Sequence, residues 1–195
     1  MIKTKLQVLI FFLLLSFCSK SQTYDKQYEI CSQSLRKLVK VDSLYFELVK
    51  ERDSCLVGTS APNFKVTTID NQEFELSKLK GRVVVLNFWF TRCQPCIKEM
   101  PELNRLVTHY TGKKVTFISF APEDSITLKT FFITHPFNFA IVPKSEKVRS
   151  EEFKLFSAWP YSIIIDREGK IFKMWAGATE NIMHDYTTII DKLLN

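Results

Sequence analysis

Residues 56–195 predict an α/β sandwich, a mixed β-sheet with helices on both faces, and three observations carry that prediction. Two predominantly apolar runs, Val83–Phe90 with Asn87 inside it and Val115–Phe120 with Thr116 and Ser119, have the make-up of central strands buried on both sides. Segments with helical spacing alternate with extended ones. Two short extended segments, Tyr161–Ile165 and Lys170–Trp175, flank Asp166-Arg167-Glu168-Gly169, where the glycine supplies the turn of a hairpin. Sheets of this kind usually carry a reactive site at the end of a central strand.

The elements follow in chain order. Lys3 and Lys5 precede the apolar run Val8–Leu15, and polar residues begin at Ser16. That run is too short for a membrane span, which needs ~20 apolar residues, and it suits a signal peptide over residues 1–21. Ser19-Lys20-Ser21 puts small residues at the two positions a signal peptidase reads, so cleavage is expected before Gln22. The rival reading is a lipoprotein signal, Leu15-Ser16-Phe17-Cys18, with a lipidated Cys18 anchoring the chain to a membrane. The bulky Phe17 weighs against it.

Residues 22–55 read as a helical extension. Tyr28, Cys31, Leu35, Leu38, Tyr45 and Leu48 recur at spacings of three, four and seven, with Lys, Arg, Glu and Asp between them. Such a stripe must cover something, either the main domain or a second copy of the chain. The main domain starts near Leu56. Phe64–Ile69 and Glu73–Leu76 flank the turn pair Asp70-Asn71 and predict a hairpin. After the Val83–Phe90 strand a helix is expected from about Cys96 to Tyr110, kinked at Pro101. Ser125–Thr134 and Glu146–Phe156 read as helices, Phe137–Val142 as extended, and Glu180–Leu194 as the closing helix.

Composition narrows the function. The formal charge of +6 falls to +3 when residues 1–21 are removed, because they hold Lys3, Lys5 and Lys20 and no acid. So mild an excess gives no case for nucleic acid. Cleavage would also remove Cys18, leaving four cysteines, an even number suited to an oxidising compartment. His109, His135 and His184 show no ligand spacing, so no metal site is expected.

Cys93-Gln94-Pro95-Cys96 carries the chemistry. It follows a predicted strand and opens a predicted helix, where the positive end of the macrodipole and unpaired backbone N–H groups favour a thiolate. Cys93, at the helix start, is expected to be the exposed nucleophile, and Cys96, one turn further in, the resolving thiol. Glu99 lies three residues beyond Cys96, on the same helical face. A structural disulfide or half of a zinc site is the bland reading, but four ligands are needed and no second CxxC or CxxH exists. Trp89 reads equally well as a wall of the site or as core. Cys31 and Cys55 are expected to pair, stapling the extension onto the domain start.

Asn87-Phe88-Trp89-Phe90-Thr91-Arg92-Cys93-Gln94-Pro95-Cys96 resembles the active-site segment of thioredoxin-fold proteins. With Ile97-Lys98-Glu99-Met100-Pro101, Gly58-Thr59-Ser60-Ala61-Pro62-Asn63-Phe64 and Trp159-Pro160-Tyr161-Ser162, it is similar to the TlpA/ResA-like branch, related to AhpC/TSA proteins. The resemblance spans residues 56–195 and implies a thioredoxin-like three-layer sandwich, with the extension outside it. It implies an exported thiol-disulfide oxidoreductase whose only redox centre is the Cys93–Cys96 disulfide, with no further cofactor. Protein disulfides of the cell envelope would be its substrates, apocytochromes during haem attachment among them, and an unidentified donor would supply electrons. The family's functional glutamate falls on Glu99 as proton acceptor. Pro160 is implied to be cis, with Trp159 offering its backbone to substrate.

The sequence departs from the pattern twice. Arg92 replaces the usual Trp before the first cysteine, and a cation there should favour the thiolate. Asn87 stands where thioredoxins bury a carboxylate. A peroxidase reading fails, because Leu86 and Phe90 occupy the positions of the Pro and Thr/Ser that precede a peroxidatic cysteine. Two alternatives stay open: a general disulfide oxidase or isomerase, and a non-catalytic scaffold holding copper(I).

Overall fold

The computed structural model describes residues 23–37 and 43–195. The segment expected to be a signal peptide, with Cys18, and Leu38 of the apolar stripe lie outside the described residues. Among the described residues, seven strands form two sheets. β1 (Lys65–Thr67) and β2 (Glu73–Glu75) make the small antiparallel hairpin. The central sheet holds β3 (Val83–Phe88), β4 (Val115–Phe120), β5 (Ala140–Val142), β6 (Tyr161–Ile165) and β7 (Ile171–Ala176). Its order is β5-β4-β3-β6-β7. β3 runs parallel to β4, from Val83↔Val115 to Phe88↔Phe120, and antiparallel to β6, from Val84↔Ile165 to Phe88↔Tyr161. The sheet is therefore mixed, with β3 at its centre.

Alternation along β3 explains the two-sided core. Val83 and Val85 join one apolar cluster, and Val84, Leu86 and Phe88 join the other. Helix α4 (Gln94–His109) covers the first face with Met100, Leu103 and Leu106. Helix α6 (Ile182–Leu194) joins it there through Tyr186, Ile189 and Ile190. Helix α5 (Ser125–Phe132) adds Leu128, with Asp124 capping it by accepting from the Thr127 N–H at 2.8 Å. Pro101 sits inside α4, which continues through it. Gly169 turns β6 into β7 at φ +85°, a backbone conformation few other residues tolerate.

The second face is where the extension docks. Its described residues form not one helix but three: α1 (Tyr24–Cys31), α2 (Gln33–Arg36) and α3 (Ser43–Leu56). Tyr24 and Leu56 enter the second cluster beside Phe64 and Phe153, and the Tyr24 hydroxyl donates to the Phe153 carbonyl at 2.6 Å. Tyr28 and Cys31 of the apolar stripe pack against the same cluster, so the stripe meets the domain itself. Its charged residues are not all solvated. Arg52 and Asp53 of α3 are 0% and 3% exposed. Arg52 donates to Asp53 and, at 2.7 Å, to the Tyr161 hydroxyl, which in turn donates to Asp53. The guanidinium also lies 4.7 Å from the centre of the Phe156 ring.

Residues 146–156, expected as a helix, are helical only as far as Glu152, with an α-helical start at 146–147 that widens into a π-helical turn at Val148–Glu152. The reason is what the segment must reach. Buried Arg149 donates to the Phe156 carbonyl and lies 4.2 Å from the centre of the Trp159 ring, holding the chain that follows in an irregular path.

Cys31 and Cys55 form a disulfide, with Cα atoms 5.7 Å apart. It joins the end of α1 to the last turn of α3, so it closes the extension on itself rather than onto the strand-bearing part. Replacing both cysteines by Ser is expected to lower stability by roughly 3 kcal/mol, the entropy of a closed loop of some two dozen residues. Urea unfolding monitored by circular dichroism measures this. Non-reducing peptide mapping should recover the two cysteines in one linked pair.

Candidate active site

The β3 chain leaves the sheet at Phe88 and turns once before α4. Buried Trp89 donates through Nε1 to the Ser119 hydroxyl at 2.5 Å and packs against Phe131, Phe132 and Phe137. It belongs to the core, not to the site wall. The next turn is fixed by Glu123, whose Oε1 accepts from the Thr91 N–H at 2.8 Å and the Thr91 hydroxyl at 2.7 Å. Nothing in the spacing pointed to Glu123, which lies beyond β4.

That turn delivers Cys93 to the N-cap of α4, bonded to Cys96, with Cα atoms 5.3 Å apart. The Cys93 sulfur accepts from the Cys96 N–H at 3.3 Å, so it lies where backbone donors would stabilise a thiolate after reduction. Cys93 is only 4% exposed in this oxidised state, against the expectation of an exposed nucleophile. The cause is packing: it forms the floor of a cleft of about 440 Å³ walled by Phe90, Arg92, Pro95 and Trp159. Arg92 itself is exposed at the mouth. The Trp159–Pro160 bond is cis, and Trp159 packs edge-on to Phe90 with ring centres 5.3 Å apart.

Glu99 lies behind the pair, on the buried side of α4. It is 6% exposed. Its Oε1 accepts from the Thr179 N–H at 3.0 Å, while its Oε2 is buried with no partner among the described residues. Burial pushes its carboxyl up to about 7, the Thr179 bond opposing only in part. Asn87 is occupied otherwise: it donates to the Ser162 hydroxyl at 3.4 Å, which also accepts from Tyr186 at 2.8 Å. Thr179, which orients the carboxylate, comes from the loop before α6 and carried no sequence signal.

A dithiol pair closed across the first turn of a helix, beside a cis-proline and above a buried carboxyl, defines a redox-active thioredoxin-fold protein. Residues 57–174 match the AhpC/TSA family. The chain is 31% identical over 150 residues to the thiol-disulfide oxidoreductase ResA of Bacillus subtilis (strain 168), covering 76% of this chain and 83% of that one. Against the ResA of Bacillus anthracis it is 35% identical over 137 residues, covering 69% and 78%. A thiol:disulfide interchange protein of the thioredoxin family from Chlorobium tepidum TLS shares the fold, with a TM-score of 0.60, 23% identity and coverage of 70% and 97%. The chain belongs to the AhpC/TSA family and is a thiol-disulfide oxidoreductase of the ResA type.

Proposed function

We propose that this chain is exported and reduces disulfides of protein partners in the cell envelope. The observation that carries the mechanism is the closed Cys93–Cys96 pair at the α4 N-terminus with the buried Glu99 carboxyl three residues along the helix, one of whose oxygens has no partner among the described residues. In the reduced protein the Cys93 thiolate attacks one sulfur of a substrate disulfide. The Cys93–substrate bond forms, the substrate bond breaks, and the displaced substrate sulfur leaves as a thiolate that takes up a proton. Cys96 then gives its proton to Glu99 and attacks the Cys93 sulfur, restoring the intramolecular disulfide and releasing the second substrate thiol. Two electrons pass to the substrate, and an upstream dithiol donor returns the protein to its reduced form.

Arg92, Trp159 and Pro160 contact the substrate around the cleft, Trp159 through its backbone. The redox pair is the only centre the reaction requires. Export rests on Lys3, Lys5 and the apolar run Val8–Leu15. No helix among the described residues is long and apolar enough to cross a membrane.

The test is to strand the intermediate. Cys96→Ser keeps the nucleophile and removes the resolver, so it should accumulate mixed disulfides with envelope proteins that dithiothreitol releases. The Cys93→Ser/Cys96→Ser chain should accumulate none. If Cys96→Ser, expressed in the native envelope, traps nothing beyond the double variant, a dedicated reductase is ruled out.

A further inference from the structure

The cleft over Cys93 is not walled by the thioredoxin-like region alone. Phe46, from α3 of the extension, lines it as well. This ring is 61% exposed, an unusual state for a large aromatic, although single exposed apolar residues are common on any surface. Its location sets it apart. Phe46 also lines a second hollow of about 430 Å³ between α3 and β7, so one ring separates two adjoining depressions.

Phe46 is also held in place. Its neighbour Tyr45 packs edge-on to Phe156, with ring centres 5.8 Å apart, and Phe46 packs edge-on to Tyr45 at 5.4 Å. Further along α3, Arg52 and Asp53 bind Tyr161, the residue after the cis-proline. Cys55 ties the end of the helix to α1. The aromatic is therefore presented beside the redox pair on a fixed support, which lowers the entropy lost when a partner covers it.

We infer that Phe46 is a specificity residue, taking an apolar side chain next to the reactive cysteine of a polypeptide substrate. The chemistry of the cleft favours that occupant: Phe90, Pro95, Ala158 and Trp159 line it with Phe46 as an apolar wall, and Arg92 is the one charged residue of its lining. Aromatic anchors buried at the centre of an interface are among the residues whose truncation costs most in recognition. The extension thus completes the substrate site rather than only buttressing the fold. This inference rests on the reductase reading above.

The experiment uses the reduced mature chain in single-turnover reduction of three oxidised probes. Two are disulfide-linked synthetic peptides differing only in Leu or Ser beside the cysteine, and the third is 2-hydroxyethyl disulfide. The unaltered chain should prefer the Leu peptide. Phe46→Ala should lower kcat/KM for that peptide about tenfold, a difference of 1.4 kcal/mol, through KM. It should leave the Ser peptide and the small disulfide unchanged, and Phe46→Tyr should restore the preference. Equal loss on all three probes overturns the inference, because Phe46 would then act on the redox pair and not on recognition; no loss on any probe overturns it too. An unaltered chain that reduces none of the three overturns the reductase reading itself, and the inference with it.

Discussion

Replacing Glu99 by Gln is expected to slow release of the mixed disulfide about a hundredfold, the low end of what a positioned proton acceptor contributes. Gln keeps an oxygen for the Thr179 N–H and removes only the ionisable group. The first step should survive: Cys93 of the reduced variant should alkylate with iodoacetamide as fast as before. The pH dependence separates a proton acceptor from a mere packing residue. With the carboxyl pushed to about 7, the base form accumulates as pH rises through neutrality, so release by the unaltered chain should quicken across that range. In Glu99→Gln that limb should vanish. Stopped-flow measurement of release between pH 5.5 and 9 reads both effects. A variant that keeps the neutral limb removes Glu99 from the mechanism.

The same substitution moves stability in the opposite direction. The carboxyl titrates at about 7 in the folded chain against an ordinary 4.5, so the folded state holds its proton more tightly than the unfolded state. Stability from this group is fully present below pH ~4.5, falls as pH rises to ~7, and is absent beyond. Gln does not titrate. At pH 8 the Glu99→Gln chain should therefore be the more stable of the two, by up to roughly 3 kcal/mol, with the gap closing towards pH 4. A variant both slower and more stable is what a group retained for chemistry produces.

Much of this site could be read from residue order alone. The two central strands announce themselves as predominantly apolar runs because both faces of β3 and β4 are covered. The Cys93–Cys96 pair is local, and a strand before it with a helix after it fixes its place. What escaped is what depends on contacts across the chain. Cys93 lies in a cleft lined in part by residues far away in sequence, Phe46 and Trp159 among them, so its surroundings had no local signal. Trp89 fitted core and site wall alike until Ser119 and the Phe131–Phe137 cluster decided it. Residues 146–156 have helical make-up, but Arg149 spends its side chain on the cis-proline loop and the helix gives way. Arg52 and Asp53 looked like the solvated face of an amphipathic helix, and they are the most deeply buried charges described.

That pair carries the largest stability effect expected of a single substitution. Arg52→Met leaves the Asp53 carboxylate buried with the Tyr161 hydroxyl alone, and removing one partner of a buried ion pair costs about 3–5 kcal/mol. Against a usual net stability of about 5–15 kcal/mol, this is a large part of the whole. The exposed pair Lys65–Glu73, with nitrogen and oxygen 3.3 Å apart, makes the contrast. Removing it should cost less than about 1 kcal/mol, because water already solvates both ends. Burial already pushes the Asp53 carboxyl up, with Arg52 as the main force holding it down. Without Arg52 it should rise further, so the deficit of Arg52→Met should shrink at pH 5, where protonation removes the stranded charge. Arg52→Met with Asp53→Leu should recover most of the loss, since no unpaired charge then remains. Urea unfolding of the four chains at pH 5 and pH 8 decides this. Equal deficits at both pH values would mean that lost packing on Phe156, not the stranded carboxylate, sets the cost. Because Tyr161 follows the cis-proline directly, the double variant also separates two roles of the pair. If it regains stability but not turnover, the pair positions the cis-proline loop for reaction as well as fastening the extension to the sheet.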